Sequence, residues 1–145
     1  MAGASAEAIK RYADELRTIH SSGHAREHAY RPALHRLMES FPDTQAINDP
    51  KRSAHGNPDF VFLRDSNRSI VRGYAETKDI TVHLDKEEGS EQMRRYVGYD
   101  KLILTNYLDF RFYRAGTKYK TITIGQLSRD TVTFDHASFG ALTAE

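Results

Sequence analysis

The chain has 145 residues, 39% of them hydrophobic and 28% charged, with a net charge of +1. That length suits one domain with a real core, and the composition argues against wholesale disorder. The balanced charge gives no bulk sign of a nucleic-acid partner, and the lack of cysteine excludes disulfides and thiolate zinc sites and fits a reducing cytosol.

Met1-Ala2-Gly3-Ala4-Ser5-Ala6-Glu7 has no basic region followed by an apolar stretch, so no secretory signal is expected. Apolar runs such as Phe60-Val61-Phe62-Leu63 stop far short of the about 20 residues a membrane span needs. A soluble, cytoplasmic protein is expected. From Ser5 to His20, Ile9, Tyr12, Ala13, Leu16 and Ile19 recur three and four apart and predict an amphipathic helix ending near Ser21-Ser22-Gly23. Tyr30, Ala33, Leu34, Leu37, Met38 and Phe41 predict a second helix, which begins just before Pro32 or bends there. Residues 43–57 are polar and rich in turn formers and read as a loop. A strand follows at 59–63, a polar turn at Arg64 to Arg68, and a second strand within Ser69 to Ile80, with Ile70, Val71, Tyr74 and Ala75 as packing candidates. A short helix is expected over about 87–98, with Met93, Tyr96 and Val97 on its inner face. Lys101–Thr105 and Asp109–Arg114 read as strands, and Tyr119–Ile124 as a weaker fifth. The last 20 residues show no period. This order implies a mixed sheet of about four to five strands with helices packed on it, in the α/β class.

Local charge says more than net charge. Lys51-Arg52, Arg94-Arg95 and the stretch Arg111, Arg114, Lys118, Lys120 are basic clusters, the last interleaved with Phe112, Tyr113 and Tyr119. They are candidate phosphate contacts, with ordinary solvated surface as the alternative.

The chemistry concentrates in Gly56-Asn57-Pro58-Asp59 and Glu76-Thr77-Lys78. Side chains two apart on a strand share a face, so Glu76 and Lys78 project together while Thr77 points away. Pairing the two strands brings Asp59 beside them. Two carboxylates suit magnesium, a hard cation that prefers oxygen ligands and relieves their mutual repulsion. The metal polarises a phosphate and activates water, and a lysine point charge can hold that water or stabilise developing charge.

Pro58-Asp59 with Glu76-Thr77-Lys78 resembles the PD-(D/E)XK nuclease superfamily, whose α-β-β-β-α-β core carries this triad on neighbouring strands. The resemblance covers roughly residues 25–115. It implies a restriction-endonuclease-like fold, Mg²⁺ with Mn²⁺ as substitute, and catalysis by Asp59, Glu76 and Lys78, with the metal on Asp59, Glu76 and the Thr77 carbonyl. Gln92-Met93-Arg94-Arg95-Tyr96 looks like the Q-x-x-x-Y element of the Mrr-like and RecB-like branches, which implies that Gln92 orients the site or a phosphate. Tyr96 reads as core packing. Glu27 sits where those nucleases place an upstream acidic residue, against the plain alternative of a helix-surface glutamate. Glu27-His28-Ala29-Tyr30-Arg31-Pro32-Ala33-Leu34, Pro58-Asp59-Phe60, Glu76-Thr77-Lys78-Asp79 and Leu104-Thr105-Asn106-Tyr107 together look most like the N-terminal nuclease domain of type ISP or related type IIG restriction-modification enzymes. In those enzymes helicase-like and methyltransferase modules follow. The chain is therefore expected to be a single domain excised from a larger enzyme, with an N-terminal helix over 1–24, a nuclease core over 25–115 and an extension over 116–145. Neither ATP nor S-adenosylmethionine dependence carries over.

Other chemistries fare worse. His20, His24 and His28 have helical spacing for zinc, but Ser21-Ser22-Gly23 interrupts the helix and no fourth ligand is evident, so they read as loop histidines. His55 is a candidate for the rim of the site, and Asp79 reads as a strand-end polar residue. No Ser sits on a G-x-S-x-G elbow and no glycine-rich phosphate loop occurs. The expected function is Mg²⁺-dependent cleavage of DNA, duplex by preference, with little base readout of its own and with a homodimer or accompanying modules as partners. A non-catalytic DNA-binding or assembly module of the same fold and a junction-resolving nuclease are the alternatives.

Overall fold

The computed structural model describes residues 6–24, 27–48, 50–51, 56–96, 98–128 and 131–134. In α1 (Ala6–Ser21), Ile9, Tyr12, Ala13 and Leu16 fall on one face and are buried. A 3-10 turn (Glu27–Tyr30) leads into α2 (Arg31–Glu39), which buries Ala33, Leu34 and Leu37. Pro32 lies in the first turn of α2, where its missing N–H would have had no partner anyway. The helix therefore begins around the proline instead of bending at it.

One sheet holds six strands in chain order: β1 (Thr44–Asn48), β2 (Phe60–Arg64), β3 (Val71–Thr77), β4 (Lys101–Thr105), β5 (Asp109–Arg114) and β6 (Thr117–Thr123). Neighbours are antiparallel except β3 and β4. That parallel pair needs a long crossover, and it carries α3 (Leu84–Glu88) and α4 (Glu91–Tyr96). Alternation along the strands feeds two cores. Phe60, Phe62, Ala75, Phe110, Phe112 and Ile122 pack with α1 and α2, whereas Leu102 and Leu104 pack with Leu84, Met93, Tyr96 and Tyr99. Helices thus cover both faces of the mixed sheet. Among the described residues no helix is long and apolar enough to cross a membrane.

Several local expectations need correction. The sheet has six strands, more than the expected four to five, because β1 occupies part of the segment read as a loop. Ala46 is the one fully buried residue of this edge strand, which leaves no alternation to read. Asp43 (φ 53°) turns the chain into it, and its carboxylate accepts Ser66 N at 2.6 Å and Ser66 Oγ at 2.9 Å, tying the start of β1 to the β2–β3 turn. The weaker fifth strand is a full member, β6. Beyond it, β7 (Gly125–Ser128) and β8 (Thr131–Phe134) form a separate hairpin with β8 against α1. Strands of four residues are too short to show a period. The single helix expected at 87–98 is divided between Glu88 and Glu91 into α3 and α4, with Gly89 and Ser90 at the break. Ile70 and Val71 are not core residues but 43% and 46% exposed, since they lie at the turn, outside the packed part of β3. Val97, Arg52 and His55 lie outside the described residues.

Candidate active site

The site forms where β3 ends. Lys78 N donates to Thr105 O at 2.9 Å, which carries the β3–β4 ladder one residue past the strand and fixes its direction. Glu76 and Lys78 project together, with Lys78 Nζ 3.5 Å from Glu76 Oε2. Phe60 pairs with Ala75, so Asp59 falls beside Glu76 across the two strands. Its carboxylate is engaged on the other side: Oδ1 accepts Arg31 Nη2 at 2.7 Å, and Oδ2 accepts Thr77 N at 2.7 Å and Thr77 Oγ1 at 2.8 Å. The strand's alternation turns the Thr77 hydroxyl away from Glu76 and Lys78, and there it meets Asp59.

The crossover completes the site. Gln92 and Tyr96, one turn apart on α4, close a ring of contacts with β3. Lys78 Nζ donates to Gln92 Oε1 at 2.9 Å, Gln92 Nε2 donates to Tyr96 Oη at 3.2 Å, and the Tyr96 hydroxyl donates to Glu76 Oε1 at 3.2 Å. From α3, Glu87 Oε2 lies 3.7 Å from Lys78 Nζ. Gly56 (φ +128°) passes so close that a Cβ there would meet Tyr96 Cε1 at 2.8 Å, so the approach to Pro58-Asp59 requires glycine. At the end of β4, Asn106 Nδ2 donates to the Val82 carbonyl at 2.7 Å and Asn106 Oδ1 accepts Asp109 N at 2.8 Å, which anchors the loop leaving Lys78 to the β4–β5 turn.

Electrostatically the pocket is short of positive charge. Glu76 is 4% exposed, and burial, followed by the neighbouring Asp59 charge, pushes its carboxyl up to about 7. Lys78 and the Tyr96 hydrogen bond oppose this without cancelling it. Burial and the adjoining Glu76 in turn push the Tyr96 hydroxyl up, which keeps it a donor. A divalent cation would relieve the strain on Glu76. Among the described residues no group of three or more His, Cys, Asp or Glu is arranged to hold one. A cation here would have two side-chain ligands, Asp59 and Glu76, and would take its others from backbone, water or phosphate, a donor set that fits Mg²⁺.

Of the other expected residues, Glu27 has only its backbone among the described features. Arg111 is no exposed phosphate contact. It is 11% exposed and pairs with Asp85 at 2.8 Å, Glu88 at 2.8 Å and Asp109 at 3.0 Å, because β5 directs it beneath α3. Lys118 lies 3.0 Å from Glu88, which also accepts the Tyr113 hydroxyl. Arg114 lies 5.2 Å from the centre of the Tyr119 ring. Arg94 and Arg95 are exposed at the end of α4, and neither forms an ion pair with another described residue. His20 Nδ1 lies 3.2 Å from Tyr30 Oη, a protein contact and not a zinc geometry. Asp79 accepts Thr81 N and Oγ1 in a local turn after β3.

Sequence reasoning missed three contributions: Arg31, Glu87 and the hydroxyl of Tyr96. Arg31 did leave a signal. It is the first residue of α2, whose first turn has no acidic residue, and a cation at that end opposes the helix dipole. A carboxylate partner offsets that cost, but the sequence does not say which one.

No protein-family model matches this chain, and no curated protein does. A chain from a cryo-EM structure of a DrdV–DNA complex is similar in fold, with a TM-score of 0.69 and 20% identity over 82% of this chain and 87% of that one. With its six-stranded mixed sheet flanked by helices, this protein has a restriction-endonuclease-like fold.

Proposed function

We propose that this protein is a Mg²⁺-dependent nuclease domain of the PD-(D/E)XK superfamily that hydrolyses DNA phosphodiesters. The observation that carries the reading is a buried Glu76, its carboxyl raised to about 7, beside Asp59 and 3.5 Å from Lys78 at the end of one strand. Two neighbouring carboxylates and a lysine with this imbalance suit a divalent cation and a phosphodiester, and strongly perturbed carboxyls cluster at functional sites. Asp59 and Glu76 would hold the ion, with the Thr77 carbonyl as a further donor. When bound, Mg²⁺ supplies Lewis-acid polarisation of the phosphate and a low pKa for its water. Lys78, held by Gln92, would orient that water or meet charge developing on the phosphate. Tyr96 holds Glu76 from the far side. The likeness to a chain of a DrdV–DNA complex supports DNA as the substrate and a restriction-type role.

Purified protein with duplex DNA and Mg²⁺ tests this. Lys78→Ala is expected to lower the cleavage rate at least about a thousandfold while leaving DNA binding largely intact. Undiminished nicking by that variant refutes the assignment.

A second reading is a non-catalytic DNA-binding module. One observation favours it: both Asp59 oxygens are already bonded, to Arg31 and Thr77, and Lys78 lies within 3.7 Å of two carboxylates. That arrangement also describes a self-satisfied ion-pair cluster. Mn²⁺ titration by calorimetry separates the two, since the nuclease reading expects binding that Asp59→Ala abolishes.

A further inference from the structure

We infer that Arg31 is a built-in counter-ion of the site, a positioning residue that holds Asp59 when metal is absent and competes with the metal for it. The inference rests on the metal-site reading proposed above and goes beyond it by assigning a residue that sets metal affinity.

The geometry is direct. Arg31 Nη2 donates to Asp59 Oδ1 at 2.7 Å, and the two side chains are only 12% and 17% exposed. A pair this close and this shielded is not screened like a surface salt bridge. The other oxygen of Asp59 takes the Thr77 N–H and hydroxyl, so the carboxylate is oriented from two sides, by β3 and by α2. Arg31 also stands at the start of α2, where the helix dipole disfavours a cation. It is kept there by Asp59.

The consequence for a divalent ion is a matter of sign. A guanidinium on Asp59 already neutralises one of the two candidate ligand carboxylates, and it repels any cation entering between them. It therefore lowers affinity for the ion. In the ion's absence it limits the repulsion between Asp59 and Glu76 that burial of Glu76 would otherwise aggravate. Arg31 and the metal supply the same commodity, positive charge on Asp59, and each is worth less when the other is present. That is a coupling free energy between two groups on one carboxylate, and it must appear in both directions.

Arg31→Gln removes the charge and leaves a shorter polar side chain, and Arg31→Lys keeps the charge without the fork. Mn²⁺ titration by calorimetry on DNA-free protein is expected to give Arg31→Gln at least about a tenfold tighter Kd than the parent, with Arg31→Lys close to the parent. In EDTA, Arg31→Gln should melt below the parent, and saturating Mn²⁺ should raise its melting temperature by more than it raises the parent's, a rescue that a merely structural arginine would not show. Should Arg31→Gln fold only when Mn²⁺ is present, the coupling holds in its strongest form. Unfolding that Mn²⁺ does not reverse overturns it, as does Mn²⁺ binding by Arg31→Gln equal to or weaker than the parent's. If the parent binds Mn²⁺ and Arg31→Gln binds no tighter, only this inference fails. If neither binds at all, the metal-site reading fails and takes this inference with it.

Discussion

Two charged clusters flank the crossover helices, and they solve opposite problems. Beneath α3, Arg111 meets Asp85, Glu88 and Asp109, while Lys118 and the Tyr113 hydroxyl add to Glu88. Burial alone would raise the Glu88 carboxyl, but the hydrogen bonds from Tyr113 and Lys118 and the charges of Arg111 and Lys118 hold it below its ordinary value. At the end of β3 the same ingredients, three carboxylates (Asp59, Glu76 and Glu87), two cations (Arg31 and Lys78) and a tyrosine, leave Glu76 raised to about 7. Three carboxylates face two cations in each, but in the first Glu88 draws on both cations and on a tyrosine, and that cluster closes the fold. In the second, the buried Glu76 has one cation and the Asp59 charge beside it, and such frustration is where a ligand's free energy can be used.

The sharpest way to break the comparison is to remove the cation from the satisfied cluster. Arg111→Met leaves Glu88, Asp109 and Asp85 close together with their common partner gone. Breaking a buried pair from one side is typically strongly destabilising, and a loss of about 4 kcal/mol is expected from urea unfolding. Because this cluster contributes structure alone, Mn²⁺ should not restore the loss. Restoration by Mn²⁺ would mean that the two clusters are not separate in kind.

The frustrated cluster has a pH signature of the opposite sign from an ordinary salt bridge. Glu76 has a folded value of about 7 against an ordinary 4.5, so the folded state holds a proton that the unfolded chain releases. Its stabilising contribution is complete below pH about 4.5 and is lost as pH rises through 7. In EDTA, melting experiments should show up to about 3 kcal/mol of stability disappearing across that window, and Glu76→Gln should flatten the profile. Saturating Mg²⁺ should flatten it as well. A wild-type profile that is level from pH 5 to 8 in EDTA would show that Glu76 is not strained.

What could be read from the sequence, and what could not, follows the range of the interactions. α1 and strands β2 to β5 were legible because apolar spacing is local, and Gly56, Pro58 and the alternation of Glu76, Thr77 and Lys78 pointed to two neighbouring strand ends, where the candidate residues do meet. β1 was not, because an edge strand with a single buried residue carries no pattern. The expected helix over 87–98 ran through the break and missed the start of α3, because Leu84 is the one buried residue of that five-residue helix and sets no period. Arg111 looked like a phosphate contact beside Arg114 and Lys118, and only the placement of α3 against β5 shows that Asp85 and Glu88, more than twenty positions away in the chain, join the nearby Asp109 in neutralising it. Arg31 and Asp59 are likewise 28 residues apart, and no periodicity reports such a pairing. Long-range ion pairs decide which charges are available, and they are the part that composition hides.

That point yields the smallest effect and the most specific one. If availability decides DNA contact, the exposed Arg94 and Arg95 at the end of α4 should serve phosphates, whereas Arg111, which the sequence ranks with them, should not. Each phosphate contact releases condensed counterions and adds about 0.9 to the slope of log affinity against log salt on duplex DNA. Replacing Arg94 and Arg95 together with alanine is expected to weaken binding several-fold at low salt and to reduce that slope by about two. Arg111→Gln should leave the slope unchanged even where it lowers stability, provided binding is measured well below its melting temperature. Fluorescence anisotropy on one labelled duplex over a series of salt concentrations reads both variants. A slope that falls for Arg111→Gln but not for the α4 double variant would reverse the assignment, because charge matching within the fold would then be no guide to which arginines reach the nucleic acid.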